Sequence, residues 1–83
     1  MRVTPNPAHT STVLRFALPT SQNVTLAVYD LAGRRVASVL DAAPTSAGQH
    51  QVPLGTQGWH PGVYLCRLEV GSRALTGKMV VIR

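Results

Sequence analysis

The sequence predicts an all-β antiparallel sandwich of about seven short strands, and three observations carry that prediction. Apolar and polar residues alternate over short runs, the period of a half-buried strand. Turn-forming residues separate those runs at the spacing typical of a sandwich. Valine, leucine and threonine are abundant, whereas glutamate (Glu69) and lysine (Lys78) occur once each, a balance unlike that of a helical bundle. The 83 residues leave room for a single domain. A domain of that size buries only roughly 60% of its unfolded-chain surface and has little volume for an enclosed substrate cavity.

The elements follow in order. Val3-Thr4-Pro5-Asn6-Pro7 is too proline-rich for a central strand and reads as part of an extended entry segment over residues 1–12, with the sandwich over 13–83. His9-Thr10-Ser11-Thr12 reads as polar loop. Residues 13–18 place Leu14, Phe16 and Leu18 on one face, and residues 24–29 place Val24, Leu26 and Val28 likewise. A return strand is expected over 36–40, followed by a turn-rich connection over 41–48 that contains Pro44 and Gly48. His50, Val52 and Leu54 share one face of a short strand, and Pro53 within it predicts a sheet edge. The segment 55–62 is irregular, with Trp59 expected to plug the open end of the sandwich. Residues 63–70 form the strongest strand, with Tyr64, Cys66 and Leu68 inward. A two-residue turn at Gly71-Ser72 leads into the last strand, over 75–82, where Gly77 is expected to weaken the ladder or mark a bulge.

Within Val28-Tyr29-Asp30-Leu31-Ala32-Gly33-Arg34-Arg35-Val36, Asp and Gly stand at the first and fourth positions of a type I turn. The Asp side chain accepts from amides two residues on. Gly33 then takes a left-handed conformation, so that the hairpin re-enters its ladder through a bulge.

The net charge is +5, with seven arginines and one lysine against Asp30, Asp41 and Glu69. The cations are scattered, and the aromatics Phe16, Tyr29, Trp59 and Tyr64 do not interleave with them, so the pattern does not favour nucleic acid. One cysteine, Cys66, rules out an internal disulfide and a cysteine-based zinc site. His9, His50 and His60 match no metal-ligand spacing. No nucleophile elbow, P-loop or dinucleotide glycine pattern occurs, so no enzyme, cofactor or metal is expected. No apolar run approaches the roughly 20 residues needed for a membrane-spanning helix.

Four blocks together carry a resemblance: Val3-Thr4-Pro5-Asn6-Pro7, Tyr29-Asp30-Leu31-Ala32-Gly33-Arg34, Gly62-Val63-Tyr64-Leu65-Cys66-Arg67-Leu68 and Lys78-Met79-Val80-Val81-Ile82-Arg83. In composition and order they resemble the C-terminal sorting domains of the type IX secretion system, type A. The chain departs from that family where Trp59 stands in place of a leucine shortly before the Gly-x-Tyr block. The resemblance implies an Ig-like antiparallel β-sandwich at the end of a larger exported protein of Bacteroidota.

By that resemblance the domain is an address label and not a catalyst. It directs an N-terminal cargo domain of the same parent chain from the periplasm through an outer-membrane translocon to the cell surface or medium. A sortase-like peptidase is expected to remove it. The recognition residues carried over are Pro5, Asn6, Pro7, Asp30, Gly33, Arg34, Gly62, Tyr64, Lys78, Met79, Val80, Val81, Ile82 and Arg83. The last strand is expected to pack one face, present an apolar ridge on the other, and leave its edge open to strand addition by a partner. A related Ig-like module, similar to that of the flagellar hook-capping protein, has a like hairpin and Gly-Val-Tyr strand. The alternative is therefore a structural or adhesive module of a surface protein. No nucleic-acid partner is expected, and no oligomeric state is implied.

Overall fold

Alternation along the chain becomes seven strands in the computed structural model, which describes residues 1–82. They are β1 (Arg2–Thr4), β2 (Ser11–Leu18), β3 (Gln22–Asp30), β4 (Arg35–Thr45), β5 (Gly48–Gly55), β6 (Gly62–Val70) and β7 (Arg73–Val81). One antiparallel sheet has the order β1-β2-β5 and the other β4-β3-β6-β7, and their apolar faces meet as a sandwich. Among the described residues, no helix is long and apolar enough to cross a membrane.

The expected core is buried as read: Leu14, Phe16, Leu18, Val24, Leu26, Val28, Tyr64, Cys66 and Leu68 are each 8% exposed or less. Ala8, Leu54, Met79 and Val81 join them. Trp59 packs against this cluster, its ring 5.0 Å from that of Tyr64 and tilted by 52°. Pro53 lies on β5, an edge strand as its presence predicted.

Four expectations need correction. The return strand does not stop at residue 40, because β4 runs to Thr45 and pairs Pro44 with Asn23. A proline survives there because β4 is an edge, with no neighbour on its far side. The β3–β4 ladder slips register at three places, and Ala42 adopts φ 45° at the bulge, where its amide donates to Thr25 Oγ1 at 3.1 Å.

The entry segment, second, is not outside the sandwich. Arg2–Thr4 pairs with β2, and the fully buried Ala8 bridges Val81 in parallel. Proline excludes this segment from a central strand, but a three-residue edge strand ends before Pro5. Third, Ser11 and Thr12 belong to β2 and not to a loop.

Fourth, Gly77 marks no bulge: β6 and β7 stay in register from Gly62↔Val81 to Val70↔Arg73. A Cβ at Gly77 would sit 3.1 Å from Met1 Cε and 3.9 Å from Val3 Cγ2. Met1 and Val3 pack over this glycine.

Candidate functional site

Three strands bring the predicted blocks together. Asp30 at the end of β3 is registered with Tyr64 of β6, and Tyr64 with Met79 of β7. Gly62 opens β6 opposite Val81, at φ 151°, a conformation that a side chain rarely allows. One row across the four-stranded sheet thus links three blocks.

The fourth block reaches the same place through a side chain. The Asn6 carboxamide behaves as a detached peptide group: Nδ2 donates to the Lys78 carbonyl at 3.1 Å and Oδ1 accepts from the Val80 amide at 2.9 Å. Two residues on, the Ala8 amide donates to the Val80 carbonyl at 2.8 Å and the Ile82 amide to the Ala8 carbonyl at 2.9 Å. Thr12 Oγ1, itself buried, donates to the Pro5 carbonyl at 2.8 Å and fixes the base of this strap. The edge of β7 from Lys78 onward is therefore filled from within the chain. It is not open to strand addition as the sequence led us to expect, because the proline-flanked segment takes its hydrogen-bonding groups.

Asp30 organises the hairpin as its spacing predicted. Its carbonyl accepts from the Gly33 amide at 3.0 Å, and Gly33 sits at φ 83°. Asp30 Oδ1 accepts from the amides of Ala32 and Arg34, both at 2.9 Å, while Oδ2 pairs with Arg34 Nε at 3.0 Å. The Arg34 amide, with the guanidinium beside it, holds the Asp30 carboxyl below its ordinary value of 3.8.

Not every predicted site residue faces outward. Tyr64, Met79 and Val81 are core, and Tyr64 donates its hydroxyl to the His60 carbonyl at 2.6 Å. Lys78 is exposed, Val80 is half-buried and Ile82 is 36% exposed. Pro5, Asn6 and Pro7 are exposed, as are Gly33, Arg34 and Gly62. Arg83 lies outside the described residues.

Sequence reasoning missed Ala8 and Thr12, which hold the strap. Thr12 shares the parity of Leu14, so alternation carried two residues further back would have marked it as inward. Ala8 had no local signal.

No cluster of three or more histidine, cysteine or acidic side chains fit to hold a metal exists among the described residues. Cys66 is fully buried, and loss of solvation pushes its thiol up to about 11, which suppresses the reactive thiolate. Such an arrangement can present a rigid composite surface.

The family model for the secretion-system C-terminal sorting domain matches residues 2–82, from β1 to the residue after β7. The chain belongs to that family. Among curated proteins and among solved structures, none matches it. The sorting domain thus carries all four blocks in one folded unit, and membership makes it a cargo-attached signal of type IX secretion, bound for the cell surface or the medium.

Proposed function

We propose that this sorting domain acts without catalysis, and that the machinery reads it as a folded object at the end where the four blocks meet. The observation that carries this reading is the convergence of segments more than seventy positions apart: Asn6 bonds Lys78 and Val80, 72 and 74 positions further along the chain. Pro5, Asn6, Pro7, Asp30, Gly33, Arg34, Gly62, Lys78, Val80 and Ile82 shape the surface there. Tyr64, Met79 and Val81 support it from inside. Arg83 extends the same block in sequence. The domain takes its cargo from the periplasm through the outer-membrane translocon, and a sortase-like peptidase then separates the two at the surface.

Transplanting residues 1–83 onto a periplasmic reporter in a host with the type IX system tests this. Delivery of the reporter to the surface or medium, with the domain trimmed off, is the expected result. A reporter that stays in the periplasm with its domain folded would instead support a structural or adhesive module.

A further inference from the structure

Each edge strand of the two sheets carries a feature that blunts it over part of its length. β1 is three residues long, β5 contains Pro53, β4 is bent by three register shifts and Pro44, and the end of β7 is filled by Asn6 and Ala8. A partner that docks where the four blocks meet therefore finds a face rather than an open edge of β7.

The outer face of the four-stranded sheet differs from end to end. Register aligns Arg35, Tyr29, Leu65 and Lys78 in one row across β4, β3, β6 and β7. Val63 and Val80 form the next row. Tyr29, Leu65, Val63 and Val80 are half-buried, so an apolar strip lies open between two exposed cations. Arg35 is held over the Tyr29 ring at 5.9 Å. The adjoining hairpin exposes Leu31 (70%) and Val36 (41%), the former the most exposed of the large apolar side chains.

Among the described residues, no acidic side chain beside this strip is free to balance it. Asp30 is paired with Arg34, Glu69 with Arg67 at 3.0 Å, and Asp41 lies further along β4.

We propose that this strip is the docking surface of the sorting domain, and that it takes an acidic protein surface with apolar side chains at its centre. The proposal rests on the sorting reading and names the partner class for it. Charge complementarity fixes the sign of the partner. The chemistry of the strip favours a protein over a polyanion. Tyrosine and arginine flanking apolar contacts are the groups that carry protein–protein binding energy, whereas a polyanion calls for a dense cluster of free cations. Here Arg34 and Arg67 are already neutralised.

The test compares two charge reversals of equal size in the reporter fusion. Arg35→Glu with Lys78→Glu alters the strip; Arg2→Glu with Arg73→Glu alters exposed positions away from it. Leu65→Ser forms a third variant. Each is first shown by thermal melt to remain folded. Binding to vesicles of phosphatidylglycerol and to purified lipopolysaccharide is measured alongside delivery.

The expected result is that the strip reversal lowers surface delivery by about tenfold or more, that Leu65→Ser lowers it too, and that the Arg2/Arg73 reversal delivers normally. Equal delivery by both reversals overturns the proposal. Equal loss from both, in step with weaker vesicle or lipopolysaccharide binding, also overturns it in favour of general attraction to a polyanion. Failure of the unaltered domain to export the reporter defeats the sorting reading itself and is distinguished by that control.

Discussion

The two edges of the four-stranded sheet are closed in different ways. β7 is sealed by bonding from Lys78 onward: a carboxamide and a bridging residue from the start of the chain bond the Lys78 carbonyl, both backbone groups of Val80 and the Ile82 amide. β4 is sealed by shape: register shifts, Ala42 at positive φ and Pro44 spoil it as a template, and no other strand covers it. The first device depends on particular long-range partners, and the second on local backbone. Loss of its long-range partners should therefore damage the β7 edge more than loss of Pro44 damages the β4 edge.

The largest effect is expected from removing residues 1–8. This strips β1, the buried Ala8 and the Asn6 clip together, and should cost about 3 kcal/mol or more. It should also produce concentration-dependent association through the bared β7 edge, read by thermal melt and sedimentation velocity. Pro44→Val at the other edge should shift stability by less than about 1 kcal/mol and leave sedimentation unchanged. Association of the Pro44 variant alone would reverse the contrast.

Gly33→Val comes next, because it acts on the turn that launches β4. At φ 83° a β-branched side chain is strained, and a loss of about 1–3 kcal/mol is expected in denaturant melts. An unchanged melt would show that β4 keeps its place without its turn.

Asn6→Ala removes two hydrogen bonds from the β7 edge while leaving Ala8 in its bridge. The site is exposed, so about 1–2 kcal/mol is the expected loss. The sharper readout is hydrogen exchange: the Val80 amide should speed up while the amides of β4 keep their rates.

The smallest effect is pH-dependent and again lies on the β4 side. Asp30 is held below its ordinary value, so the stability it contributes is full above about 3.8 and drains away as pH falls through its lower folded value. The gap in melting temperature between the parent and Asp30→Asn should be constant near neutrality and close below pH 3.8. A gap that widens in acid would contradict the hydrogen bonding to Arg34.

The same contrast explains what was legible. Local pattern sufficed for the core parity of β2, β3 and β6, for the Asp30–Gly33 turn and for the edge position of β5, since each is written within a few consecutive residues. β4 was cut short because Ala42 and Pro44 look like a turn until the lack of an outer neighbour makes them tolerable in a strand. The strap was invisible for another reason. Nothing near Asn6 or Ala8 encodes a partner more than seventy residues away, and only the resemblance to the family grouped Pro5-Asn6-Pro7 with Lys78 to Arg83. The glycine at 77 misled by the same logic: what packs over it, Met1 and Val3, comes from the opposite end of the chain.

The parallel sense of the Ala8–Val81 bridge has a mechanical consequence. Tension applied to the chain ahead of Ala8 and beyond Ile82 drags the two segments in opposite directions along their common axis. The bonds of Asn6 and Ala8 to Lys78, Val80 and Ile82 are then loaded together in shear, whereas an antiparallel hairpin pulled from its ends would unzip one bond at a time. Between such a pull and the rest of the sandwich stand β1, paired with β2, and then this clamp loaded in shear.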